Sequence, residues 1–328
     1  MSNASGADAA PETHKTKTSW LARRLGNEAG IGLAVLVIFV LLSVFTDHFF
    51  TWNNVMIVAR QVSLAAIIAI GMTYVILMGG IDLSVGSVVA LASVVIGHVM
   101  VKMGLPPTIA ILAALGVGVL VGLFNGTVVI KTGVPPFVVT LGMMGIARGL
   151  ALVITKGSSV SGLPSGYLFI GQGFLLGVPL PVWLMIAVGI ISHLFLTYTT
   201  TGRHIYFIGS NEEAARLCGI AVNKIKLLVF SITATLAAFA SVIETARMST
   251  AQPGTGVGYE LQAIGAVIIG GASLFGGSGT ILGTILGTAL LGLVTNGLIL
   301  LGVSAYWQQV FSGGVIILAV TLDVLRKK

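Results

Sequence analysis

The chain has 328 residues, of which 56% are hydrophobic and only 8% charged, with a formal net charge of +7. No soluble domain needs that much apolar surface, and continuous apolar runs argue against a membrane β-barrel, whose strands alternate. The basic residues lie between hydrophobic spans, where they set orientation, so the positive balance does not point to nucleic acid.

The polar N-terminus reads as a solvated tail, with residues 1–29 on the cytoplasmic side. The apolar run Gly30 to Phe45 lacks a small-x-small cleavage site and is expected to be an uncleaved anchor. Charged residues then punctuate the spans. The first lies between Glu28 and Asp47, the second between Arg60 and Asp82, the third between Asp82 and Lys102, and the fourth between Lys102 and Lys131. The fifth covers about Phe137 to Thr155 despite Arg148, and a Gly/Ser-rich connection leads to the sixth at Pro179 to Tyr198. A polar loop, 199–226, separates the two halves, and the seventh span follows from Leu227 to Glu244. The uncharged run from Leu261 to Leu322 is about three spans long at roughly 20 residues each. Breaks near Gly276–Gly279 and Gly302–Ser304 divide it. The expectation is an all-α polytopic membrane protein of about ten spanning helices over residues 30–323, followed by a basic tail, 324–328. With the N-terminus inside, twelve Lys/Arg fall on the cytoplasmic side and four outside, which puts both termini and the central loop in the cytoplasm.

That central loop carries the long charge-bearing stretch, GRHIYFIGSNEEAARLCGIAVNKIK (Gly202–Lys226). Ser210 with Glu213 three residues later reads as a capping box, with a short helix from Asn211 to Cys218 and a left-handed stop at Gly219. Glu212 and Arg216 are spaced to pair, while Ala214, Leu217 and Cys218 share the other face. Such a stub is either a plug for another protein or an ordinary solvated loop helix.

Other residues carry paired readings. Asp82 in GIDLSVG is either a cap accepting from the amide of Ser84 or Val85, or a substrate contact. Glu244 and Arg247 are expected to pair with each other, and Arg148 to snorkel or to reach a carbonyl or an acid elsewhere. Asn125 and Asn296 either hydrogen-bond between helices or line a polar path. Gly118, Gly122 and Gly126, like Gly279, Gly283 and Gly287, form small-xxx-small stripes that pack the bundle or make a homodimer seam. GGIDLSVGS (Gly79–Ser87) is weakly echoed by GGASLFGGS (Gly270–Ser278), a pattern that can mark paired halves of a transport site. His98 and His193 are isolated, and the single cysteine, Cys218, leaves no disulfide or Cys-rich site, so no metal is expected. There is no GxxxxGK[ST], HExxH or GxSxG, so neither ATP binding by a Walker loop nor esterase or protease chemistry is expected in this chain. With few ionisable groups in the spans, a path lined by Asn, Thr, Ser, Gln and Tyr suits an uncharged polyhydroxyl solute better than an ion.

Several motifs together go beyond general membrane vocabulary. The stretch from Ala65 to Ser87 contains GMTYVILMGGIDLSVGS. It is joined by GRHIYFIGSNEEAARLCGI (Gly202–Ile220), NKIK (Asn223–Lys226), ARMSTAQPGTGVGYELQAI (Ala246–Ile264) and NGLILLGVSAYWQ (Asn296–Gln308). From about Leu33 to Asp323 the chain resembles the permease subunits of bacterial ABC sugar importers, above all the ribose-permease group. The resemblance implies a ten-span, type II-like permease of the inner membrane. It implies a second permease copy, an ABC ATPase that binds ATP and Mg, and a periplasmic sugar-binding protein as partners, with lipid around the spans. The family's EAAxxxG-like coupling motif falls on Glu213, Ala214, Ala215 and Gly219, so these residues with Asn211, Glu212, Arg216 and Leu217 would form the ATPase-docking helix. Asp82, Asn125 and Asn296 remain the candidates for the translocation path. Where relatives commonly have an acid after GYEL, this chain has Gln262. The rival from another class is a self-sufficient secondary sugar transporter or facilitator, with Asp82, Glu244 and His98 as its candidate relay.

Overall fold

The computed structural model describes residues 18–304 apart from Asp47, together with scattered positions between 306 and 321, and side chains from Glu28 onward. Most of the expected tenth span, the tail 324–328 and residues 1–17 lie outside these. Among the described residues the chain is twelve α-helices, a π turn at His98–Lys102 and four two-residue strands. Eight of the helices are long and apolar enough to cross a membrane: α1 (Thr18–Phe45), α2 (Trp52–Leu77), α3 (Val85–Gly97, extended by the π turn), α4 (Pro107–Thr132), α5 (Pro136–Thr155), α7 (Leu180–Tyr198), α10 (Val222–Met248) and α12 (Ile281–Leu300). Between them lie α6 (Ser165–Gln172), α8 (Thr200–Ser210), α9 (Glu212–Leu217) and α11 (Tyr259–Ile269).

Two differences from expectation have local causes. Helix α1 begins at Thr18, so helix already occupies much of the segment read as tail. The expected eighth span is the 11-residue α11, roughly 16 Å long, well short of a hydrocarbon core of about 30 Å. It stops because Gly270–Gly271 follow it and Gly271 sits at φ 84°, which turns the chain away.

Proline and glycine punctuate the long helices as their backbone limits require. Helices α4, α5 and α7 carry Pro in their first turn, where no hydrogen bond is lost, and α4 ends on Gly133 at φ 69°. Helix α2 is the central post, buried almost without interruption from Ser63 to Leu77. Helix α10 crosses it at Gly71, whose carbonyl accepts from Thr233 Oγ1 at 2.8 Å. Against the other side of α10 lies α4. A Cβ on Gly118 would stand 2.7 Å from the Ala234 carbonyl, and one on Gly122 would stand 2.5 Å from that of Phe230. The α4 glycine stripe therefore packs this chain on itself. The second stripe does the same, since a Cβ on Gly283 would collide with the Gly270 carbonyl and one on Gly287 with that of Ala266.

The two echoed segments form elbows that meet. GGIDLSVGS joins α2 to α3 and GGASLFGGS joins α11 to α12. The Gly277 amide donates to the Leu77 carbonyl at 3.0 Å, and a Cβ on Gly276 would come within 2.8 Å of the Gly79 nitrogen. Helix α8 ends against this junction, so the elbows and α9 share one end of the bundle. At the opposite end, β1 (Val160–Ser161) pairs antiparallel with β4 (Thr250–Ala251), near the tips of α5 and α10. The hairpin strands β2 (Phe174–Leu175) and β3 (Val178–Pro179) lie beyond α6.

Candidate functional site

The polar stub in mid-chain is a jointed pair of helices. Thr199 caps α8, its Oγ1 accepting from the Gly202 amide at 2.9 Å. Helix α8 then runs through Ser210, whose hydroxyl donates back to the Tyr206 carbonyl at 3.0 Å. The expected Ser210–Glu213 capping box does not form because Ser210 is still part of α8, so it lacks the non-helical backbone of a cap residue. The cap moves one residue on: extended Asn211 (φ −161°) accepts the Ala214 amide on Oδ1 at 2.9 Å and opens α9. The far end is closed as expected, with Gly219 at φ 76° and the Ile220 amide donating to the Ala215 carbonyl at 3.1 Å.

The faces of α9 divide sharply. Ala215 is fully buried in a cluster with Ile205, Ile208, Val222 and Ile225, which ties α9 to α8 and α10. Glu212 receives Arg216 Nη2 at 2.8 Å along the helix and Lys226 Nζ at 2.7 Å from the first turns of α10. Partial burial pushes the Glu212 carboxyl up, but the hydrogen bonds and charges of Lys226 and Arg216 outweigh it, so its pKa lies below the ordinary value. On the outer face Leu217 is 89% exposed, with Glu213, Arg216 and Cys218 also exposed around it. A large apolar side chain held out on a rigid, two-way capped turn offers an anchor to a partner.

Movement of this module would reach the membrane core directly. Gly209, on the last turn of α8, has no room for a Cβ beside the Leu77 carbonyl, and one would stand 2.7 Å from the Gly277 nitrogen. Tyr206 Oη donates to the Gly279 carbonyl at 2.9 Å. The base of the stub is thereby wedged against both elbows, at the end of the central post.

Asp82, Asn125 and Asn296 are all inside the bundle. Asp82 is fully buried, and its Oδ1 accepts from the Ser84 amide at 2.8 Å, the bond the cap reading expects, and from the Ser84 hydroxyl at 2.6 Å; the bond closes a turn ahead of α3, whose N-cap position is Ser84. Asn125, from α4, donates to the same Ser84 hydroxyl at 3.2 Å. Asn296 exchanges a reciprocal pair of amide hydrogen bonds with Asn54 of α2, at 3.0 and 2.9 Å. Asn296 thus bonds helix to helix, whereas Asn125 ties α4 to the elbow before α3 and keeps an Oδ1 with no partner among the described residues. Arg148 reaches the carbonyls of Pro253 and Thr255 at 2.6 and 2.7 Å, pinning the glycine-rich connection that precedes α11.

A cavity of about 230 Å³ opens between α2, α11 and α12, towards the end opposite α9. Its polar walls are Gln61, Arg247, Tyr259, Gln262, Thr288 and Thr295. Arg247 makes the expected pair with Glu244 in bidentate form, Nε and Nη2 to the two carboxylate oxygens at 2.8 and 2.9 Å, and Tyr259 donates to the same carboxylate at 3.1 Å. Asp82, Asn125 and Asn296 are not among the walls. Gln262 was noted in the sequence only as a departure after GYEL, and Gln61 was missed. The signal available for Gln61 was its place beside Arg60 at the polar end of α2.

The comparisons with known proteins agree with this architecture. Residues 54–320 match the family described as branched-chain amino acid transport system / permease component. The ribose import permease protein RbsC of Escherichia coli (strain K12) is 46% identical over 295 residues, covering 89% of this chain and 92% of that one. The protein of the same name from Bacillus subtilis (strain 168) is 43% identical over 300 residues, 91% and 92% of the two chains. The D-allose transport system permease protein AlsC of Escherichia coli (strain K12) is 37% identical over 296 residues, 90% of this chain and 91% of its own. No solved structure matches. The chain belongs to the branched-chain amino acid transport system permease family, as a multi-pass bacterial inner-membrane protein sharing most of its length with ribose import permeases.

Proposed function

We propose that this chain is the membrane-spanning permease subunit of an ATP-driven importer, forming the path for a monosaccharide, ribose or a related sugar or polyol. The observation that carries the reading is the α8–α9 module: a capped stub, Leu217 outward, wedged at its base against both elbows and the end of α2. Its exposed face docks on an ABC ATPase, which binds ATP and Mg, while this chain makes or breaks no bond itself. The stub faces the cytoplasm with both termini, as the distribution of Lys and Arg supports. A periplasmic binding protein delivers the sugar to the opposite face, and a second copy of this chain completes the path within the lipid. The names of the relatives support the sugar and the importer setting. Closure of the ATPase dimer pulls α9 as a rigid body, and α8 transmits that displacement to the elbows and tilts the bundle between two packed states.

The test is uptake in proteoliposomes holding this chain with a candidate ABC ATPase and a sugar-binding protein. Glu213→Lys, which reverses a charge on the docking face, abolishes uptake without altering the amount of folded permease in the membrane. Gly219→Val does so by forcing a β-branched residue to φ 76°. Normal uptake in both variants removes the docking role, and gradient-driven sugar flux by the chain alone establishes a self-sufficient transporter instead.

A further inference from the structure

We infer that the cavity between α2, α11 and α12 is a resting site for one uncharged polyol, and that Gln61 and Gln262 read its hydroxyls; this rests on the reading of the chain as a monosaccharide permease.

The walls combine two kinds of surface. Val62, Ala65, Ile68, Ala263 and Leu291 give an apolar floor, the complement of the C–H face of a sugar ring. Around it stand side chains that donate and accept. Tyr259 and Arg247 are locked: both bond to the buried Glu244 carboxylate, so their places on the wall are fixed before any ligand arrives. Neutralised by that carboxylate, the guanidinium leaves the site without a free positive charge, so it does not select an anion. Gln61 and Gln262 differ from these. Neither carboxamide makes a hydrogen bond to the described residues, and both border the cavity, one from α2 and one from α11. Each carboxamide offers a donor and an acceptor together, which a pair of neighbouring hydroxyls satisfies in two directions. Other polar side chains of the bundle are spent on the protein, Asn296 on Asn54 and Thr73 on Thr284. A cavity with an apolar floor and unspent carboxamides is what a polyol needs. A lipid chain would leave both carboxamides without partners in an apolar setting, which is costly.

The experiment uses the full chain in nanodiscs, with Cys218→Ser removing the native thiol and Thr295→Cys placing one on the cavity wall, which leaves both glutamines in place. A bulky maleimide labels that thiol, and D-ribose at tens of millimolar slows labelling by fivefold or more. In the Gln61→Leu background the ribose concentration for half protection rises at least fivefold. With Ala65→Phe filling the floor, protection disappears. A labelling rate indifferent to ribose in all three overturns the inference, as does protection that survives both Gln61→Leu and Ala65→Phe. Uptake by the wild-type chain with its partners is measured in parallel. Normal uptake without protection removes the site and leaves the permease reading standing, whereas protection without ATP-driven uptake keeps the site and removes the importer assignment.

Discussion

Two helix starts in this protein use related hydrogen bonds, one as a turn ahead of the helix and one as its N-cap, and put them to opposite ends. Before α3, Asp82 Oδ1 accepts the backbone amide of Ser84. Before α9, Asn211 Oδ1 accepts the backbone amide of Ala214. The first bond is fully buried and cross-linked through the Ser84 hydroxyl to Asn125 of α4, whereas the second is exposed, on a helix held to α10 by the charges around Glu212 and by the packing of Ala215. Burial makes the first a fixed joint between helices. Exposure leaves the second as a handle, stiff within itself and replaceable in its contacts. A short polar side chain at a helix start thus says little about role until the depth of its surroundings is known.

The buried member should be the harder one to break. Asp82→Ala leaves the Ser84 amide and hydroxyl without an acceptor in the bundle, at about 1–3 kcal/mol for each. The expected outcome is a large fall in the yield of folded, detergent-stable protein, read by fluorescence-detected size exclusion. Asp82→Asn keeps an acceptor at Oδ1, and Oδ2 has no partner among the described residues, so most of the stability is retained. Equal damage from both substitutions would make the negative charge, and not the hydrogen bond, the feature that matters. Next in size is Gly122→Leu. Its Cβ would stand 2.5 Å from the Phe230 carbonyl, so α4 and α10 must separate, at about 1–3 kcal/mol. Thermal unfolding in detergent should show the loss, while Gly116→Leu, which meets nothing within 4 Å on the same helix, should not.

The exposed cap should yield a smaller and more local effect. Asn211→Ala is expected to cost about 1 kcal/mol, confined to α9, with global unfolding unchanged. Faster hydrogen exchange at Ala214 and Ala215 alone would confirm a handle that loosens by itself, and a drop in overall stability would show that α9 is part of the core.

The sequence revealed some of these features because their causes are local. Gly219 needs only its own φ, Glu212 and Arg216 need only a spacing of four, and Asp82 needs only the amide two residues on. The cap at Asn211 was missed because Ser210 belongs to the helix before it, and where α8 stops depends on Gly209 reaching the Leu77 carbonyl, a contact between residues far apart in the chain. Hydropathy likewise reads an uncharged run as spans, yet α11 ends after 11 residues at a glycine pair, since composition reports solubility in lipid and not length of helix. The cavity was invisible for a related reason. Gln61 and Gln262 are 201 positions apart and acquire a common wall only when α2 and α11 pack.

The smallest expected effect concerns the clasp itself, and its sign follows from Glu212. Lys226 and Arg216 hold that carboxyl below its ordinary value despite its partial burial. A carboxyl with a lowered folded-state pKa binds fewer protons folded than unfolded, so the clasp contributes fully above the ordinary glutamate value of about 4.3. It is lost as pH falls through the lower, folded-state value. A nitroxide on Cys218, which is exposed and the chain's single cysteine, reports the freedom of α9. Its mobility should stay constant from about pH 8 to about pH 5 and rise only in stronger acid. Because the Glu212 side chain is 37% exposed, solvent screens the pair and the step should be shallow. Glu212→Gln should start at the higher mobility and show no step. A step that survives Glu212→Gln would assign the acid response to another carboxyl, and the handle would then be held by packing around Ala215 instead of by charge.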